Sequence, residues 1–210
     1  MLRRALTLTA CVLLCSACTS EDKSAVVTDP RNLADFSKIT AGGAMDVDIK
    51  IGSPQSVVIE CNKDSLADID TEVNDGELIV SIEDNARPTH LAAHIVVPKL
   101  DSLEVAGSTE TVVAGVHSKA FSLTTAGSAK VEAQGEVDDL QIELSGSSDL
   151  NAGKLKSKTC SITISGSGNA DVYASQSLDA NIAGSGIVKV HGNPPKLNQQ
   201  IEGSGSIEKL

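Results

Sequence analysis

The chain has 210 residues, 28 acidic against 17 basic side chains for a net charge of −11, and three aromatic residues, Phe36, Phe121 and Tyr173, although 40% of it is hydrophobic. That balance makes nucleic acid and bare anionic membrane surfaces poor partners. It also excludes an interior built on aromatic packing, so the core has to be a ladder of Val, Ile, Leu and Ala.

Residues 1–17 begin Met-Leu-Arg-Arg, run through an apolar stretch and end Cys15-Ser16-Ala17 in front of Cys18. A charged start, an apolar middle and small residues before a cysteine make a leader. This one resembles a bacterial lipoprotein signal peptide, which implies cleavage behind Ala17 and lipid on Cys18. Thr19 after the cysteine implies an outer-membrane destination. The alternative is an ordinary secretory leader cut nearby. From Cys18 onward 15 basic residues face 28 acidic ones, a net charge of −13, and no second apolar run reaches the roughly 18 residues needed to span a bilayer.

Residues 18–35 are polar and contain Pro30, which reads as a flexible tether, and 36–210 read as a single β-helical domain. Ile39, Ala41, Gly43, Met45, Val47, Ile49 and Ile51 alternate as one coil of extended chain. An irregular insert follows over 52–100, with strands expected at 55–61, 69–74, 77–83 and 91–97. Asn74-Asp75-Gly76 forms a tight hairpin turn between two of them, and Asp64–Asp68 one helical turn.

From 101 to 210 a unit of about twenty residues recurs around Gly107-Ser108, Gly127-Ser128, Gly146-Ser147, Gly166-Ser167, Gly184-Ser185 and Gly203-Ser204. Two residues before each glycine stand Val105, Thr125, Leu144, Ile164, Ile182 and Ile201. Even offsets are mostly apolar and odd ones polar, which is the period of strands with one buried face. One unit is too short to bury that face alone, so the units should stack about 4.8 Å apart. The expected fold is all-β, a right-handed parallel β-helix with coils of 19–20 residues, because parallel crossovers are right-handed. Gln199 and Lys209 fall in columns that are otherwise largely apolar, so the last coil should be a polar cap against edge pairing.

The glycines fit corners too tight for a side chain, and Ser108, Ser128, Ser147, Ser167, Ser185 and Ser204 fit the same corners as small residues whose hydroxyls can bond the backbone. The sharper reading of that column is a hydroxyl ladder that docks a glycan or a β-rich partner. Cys61 and Cys160 share the buried parity; two buried thiols or a bridge, which an exported compartment permits, are both open.

Candidate chemistry is sparse. His90 and His94 would share a face of a helix, but Ile95-Val96-Val97 favours a strand, where they stand about 13 Å apart and cannot share an ion. Gly166–Asp171 is similar to a calcium-binding nonapeptide, with the aspartate one residue late and no nine-residue repetition. The Gly-Ser-Gly runs lack the Lys-Ser/Thr of a phosphate cradle. Asp149 and Asp171 lie on adjacent coils, yet Tyr173 alone cannot line a sugar-cleaving groove. No catalytic residue, cofactor or metal ligand is assigned.

Arg31-Asn32-Leu33-Ala34-Asp35-Phe36-Ser37-Lys38-Ile39, then Asp46-Val47-Asp48-Ile49 and Gly52, then Asp75-Gly76-Glu77-Leu78-Ile79-Val80 and the Gly-Ser repeats resemble the bacterial family of the putative auto-transporter adhesin, head GIN domain, over roughly residues 33–200. The resemblance implies a β-helical envelope protein, often lipid-anchored, with no assigned catalysis. The expected function is a non-enzymatic, lipid-anchored structural or adhesive module of the bacterial envelope, partnered by the membrane through Cys18 and by a glycan or envelope protein. The alternatives are a carbohydrate-active β-helix enzyme of lyase or hydrolase type and a periplasmic assembly accessory.

Overall fold

Period-two alternation broken by a glycine every nineteen or twenty residues becomes a stack of bent strands. The computed structural model describes residues 25–83 and 86–210, so the leader and Cys18 lie outside the described residues. Strand makes up 72% and helix 3%, in a parallel β-solenoid of about five turns.

The first strands are β1 (Val26–Arg31), β2 (Lys38–Gly43), β3 (Asp46–Ile51), β4 (Ser56–Asn62), β5 (Ile69–Asn74), β6 (Glu77–Ile82), β7 (Leu91–Val97) and β8 (Ser102–Gly107). Three long strands follow, β9 (Glu110–Gly127), β10 (Lys130–Gly146) and β11 (Asp149–Gly166), each bent across both flanks. The array ends with β12 (Asn169–Tyr173), β13 (Ser177–Gly184), β14 (Ile187–His191), β15 (Lys196–Gly203) and β16 (Ser206–Lys209).

Two flanks result. The first runs β5, β6, β2, β8, the C-terminal halves of β9 to β11, β13 and β15; the second runs β1, β4, β7, β3, the N-terminal halves of β9 to β11, β12, β14 and β16. Like offsets stack, as Leu144, Ile164 and Ile182 do in direct register, all three buried. The flanks meet at the Gly-Ser corners. There φ is positive, from +94° at Gly146 to +132° at Gly184, and a Cβ on Gly127 would stand 2.6 Å from the carbonyl oxygen of Gly107. Only glycine lets one corner sit so closely on the last.

Two expectations need correction. The segment 18–35 is not a flexible tether throughout, because Val26–Arg31 pairs antiparallel with β4 from Val26 opposite Asn62 to Arg31 opposite Val57; its alternate exposure and Pro30 suit an edge strand, which needs no continuous apolar run. The insert 52–100 does not separate the first coil from the array in space. β2 and β3 lie directly against β8 and β9, with Lys38 opposite Ser102 and Asp46 opposite Glu110. The insert folds back over the far side, where β6 and β7 continue the parallel stack and β1, β4 and β5 close it antiparallel. Its strands and its 3-10 turn, Lys63–Asp68, fall within about a residue of the expected positions; in the hairpin, Asp75 and Gly76 both take positive φ, as a two-residue turn of that twist requires. Of the two arrangements open for the cysteines, the structure has the unbridged one: Cys61 in β4 and Cys160 in β11 are both free and buried.

Gln199 and Lys209 are exposed on the last rung and make its inward columns polar, but β15 and β16 each keep one edge unpaired among the described residues, so the end is not closed against edge pairing as expected. Beneath them Leu197 and Ile207 are only partly buried.

Candidate functional site

The six serines predicted to form a column do so. All are exposed, and each donates its backbone N–H to the carbonyl of the glycine one coil before, at 2.8 to 2.9 Å, from Ser108 on Gly43 to Ser204 on Gly184. The hydroxyls, expected to bond the backbone, make no hydrogen bond among the described residues. Ala106, Ala126, Ser145, Ser165 and Ala183 precede the first five glycines and Glu202 the last, so this edge is a ridge of small residues that ends in a carboxylate. Its free hydroxyls repeat at the strand spacing of about 4.8 Å.

On the second flank, odd positions form charged ladders. A shallow groove of about 450 Å³ runs across the rungs between Lys130, Asp149 and Asn169 on one side and Glu132, Asp171 and Lys189 on the other. Lys130 donates to Glu110 at 2.7 Å, which raises its pKa. Asp149 accepts from Asn169 at 2.9 Å. Asp171 lies 2.6 Å from Nε2 of His191, over the gap left by Gly153, where a Cβ would meet both. The stack therefore brings Asp149 and Asp171 into one groove, each held by a neighbour on another strand. The first flank over the same rungs carries Ser122, Thr124, Ser161 and Thr163, with Glu143 between the two threonines.

His90 and His94 do lie on a strand and its approach, yet they are linked. Glu60 of β4 reaches both, at 2.8 Å from His90 and 3.6 Å from His94, and Asp48 of β3 stands 3.1 Å from His94 on its other side. Sequence reasoning missed Glu60 and Asp48. Alternation put them on the outer face, but nothing local says that β4 and β3 flank β7. Among the described residues no three His, Cys, Asp or Glu side chains are arranged to hold a metal ion. The stretch similar to a calcium motif is also committed elsewhere, since Asn169 and Asp171 bond along the groove. Burial pushes the Cys160 thiol up to about 12, so it is a packing residue and no nucleophile.

This geometry can hold a polar chain along a ridge or groove. The family model of the putative auto-transporter adhesin, head GIN domain, matches residues 35–194. The chain belongs to this family. GIN-domain architecture recurs in the crystal structure of a putative adhesin from Bacteroides fragilis, 19% identical, covering 89% of this chain and 97% of that one with a TM-score of 0.69. A putative lipid binding protein from Parabacteroides distasonis is 22% identical over 88% and 96% of the two chains, TM-score 0.60. A putative adhesin from Parabacteroides merdae is 14% identical over 88% and 96%, TM-score 0.55. Identities this low establish a shared fold. No curated protein matches the chain.

Proposed function

We propose that this GIN-domain protein is a non-enzymatic lipoprotein of the outer membrane, anchored at Cys18, whose solenoid serves as an adhesive or structural interaction module through its serine ridge. The observation that carries the reading is the ridge itself: six exposed hydroxyls without partners among the described residues, in one line along the array. Solenoids use such extended repetitive surfaces to bind, and a ligand that repeats, such as a glycan, matches a surface that repeats. Membership of an adhesin family supports a cell-envelope setting. The fold already begins at Ala25, whose carbonyl accepts the N–H of Lys63 at 3.0 Å. Only six residues, 19–24, lie between that point and Cys18, seven steps that reach at most about 25 Å, so an anchor there would hold the solenoid close to the bilayer by its N-terminal end.

Replacing Ser128, Ser167 and Ser204 together with Ala tests the ridge. Exposed, unbonded hydroxyls should cost less than about 0.5 kcal/mol each, so the melting temperature should hold while binding to cells or glycan-coated surfaces falls. Lost stability with intact binding would remove the reading. Cys18→Ala should move the protein from the membrane fraction to the soluble one.

A further inference from the structure

The solenoid ends differ in what their free edges offer. At the N-terminal end the edge strands are β1 and β5. Pro30 lies within β1 and has no N–H to donate, Asp29 and Arg31 are paired with each other at 2.8 Å, and β5 carries Asp70 and Glu72. That edge is blunted. At the C-terminal end β15 pairs only with β13 and β16 only with β14. β15 contains no proline, and it exposes Ile201 (37%) while leaving Leu197 partly buried.

The order of residues in β15 is complementary to its own reverse. In Lys196-Leu197-Asn198-Gln199-Gln200-Ile201-Glu202, an antiparallel pairing of two copies centred on Gln199 sets Lys196 opposite Glu202, Leu197 opposite Ile201, Asn198 opposite Gln200, and Gln199 opposite its own copy. Directly opposed residues in an antiparallel pair share a face with side chains about 4.5–5.5 Å apart. The charged pair therefore meets on the outer face and the apolar pair over the open end of the core. Lys196 has no ion pair among the described residues, and Glu202 accepts only from Gln200, at 3.3 Å.

We propose that β15 is a self-association edge whose partner is a second copy of this chain, joined by antiparallel β15 to β15 pairing about a two-fold axis at Gln199. Such an interface is isologous and uses the same edge on both copies. With the opposite end blunted by Pro30, it closes as a dimer and does not propagate into a filament. The axis lies across the solenoid, so the two N-terminal ends point away from each other. Where the anchoring proposed above also holds, the dimer joins copies on opposed surfaces.

Sedimentation equilibrium of the full chain in detergent micelles, with circular dichroism as the control for folding, tests this on four proteins: wild type, K196E, E202K and K196E/E202K. The wild type should dimerise. Each single reversal places like charges opposite each other and should weaken the dimer at least tenfold, and the double reversal should restore it to within a few-fold of wild type. A wild type still monomeric at about 1 mM, single variants equal to wild type, or a double variant no better than the singles would each overturn the proposal. The measurement uses neither membrane nor ligand, so its failure leaves the anchor and the ridge standing, and theirs leaves β15 standing.

Discussion

The regular array over residues 101–194 and the N-terminal cap over residues 25–100 continue one sheet by different means. In the array each side chain meets its equivalent one rung away, as Leu144 meets Ile164. Stability is spread over many similar contacts, and the glycine corners let the rungs approach. In the cap, strands reverse direction and individual polar groups hold the crossings. Asn62, buried, accepts through Oδ1 from the N–H and hydroxyl of Thr89 and from the N–H of His90 at 2.8 to 3.0 Å. Gln55 donates to the Ala34 carbonyl and accepts from Phe36. A repeat can be extended by copying one rule, whereas a closure needs bonds that occur once.

The largest effect should come from an array corner. Gly146→Val puts a branched side chain at φ +94°, with its Cβ 2.5 Å from the Gly127 carbonyl oxygen. Strain plus backbone displacement should cost about 4 kcal/mol or more, read as lost folding or a large fall in the denaturation midpoint. Gly76→Asn in the cap hairpin, where φ is +75° and a Cβ meets nothing within 4 Å, should cost about 1 kcal/mol or less. Equal losses at the two sites would break the contrast.

Leu144→Ala removes a fully buried side chain from the middle of the stack and should cost about 2–5 kcal/mol in equilibrium unfolding. Asn62→Ala leaves two part-buried amides and a hydroxyl without their acceptor and should cost about 1–2 kcal/mol. Hydrogen exchange should accelerate in β1, β4 and β7 and stay unchanged in β10 and β11. Acceleration across the whole chain would mean that cap and array open as one unit.

The two thiols sharpen the comparison further. An alkylating reagent at pH 8 should modify Cys61 before Cys160, because burial raises both thiols, with the Arg31 guanidinium partly offsetting the rise at Cys61, but pushes Cys160 to about 12. The sign for stability follows from that raised value. The unfolded thiol, at 9.0, loses its proton first, so the contribution is complete below pH 9 and is lost between pH 9 and about 12, visible as a falling melting temperature. Smallest of all, Lys130→Ala removes an ion pair on a fully exposed side chain. Screening by solvent should leave the melting temperature unchanged.

Much of the cap was legible piecewise. The hairpin at Asp75-Gly76 and the four strands of the insert announce themselves through alternation and turn residues. Their placement did not, because it depends on pairings between β2 and β8 across more than sixty residues and on β6 packing outside a strand that precedes it. The serine ridge was visible as a column in the sequence, but whether its hydroxyls find partners depended on which groups the stacked corners bring within reach. The meeting of His90, His94, Glu60 and Asp48 was hidden for the same cause. Spacing along an extended strand predicts imidazoles too far apart to share a partner, but His90 precedes β7 and the next strand inserts a carboxylate that reaches both.

Periodicity alone determined the rung, its inward face and its corner, because a repeated unit meets only copies of itself and every contact in the array is a relation between equal offsets. Tertiary structure alone decided how the stack begins, which residues share the groove, and that β15 is left with an open edge. Those depend on strands distant in the chain, where no repeat constrains the partner.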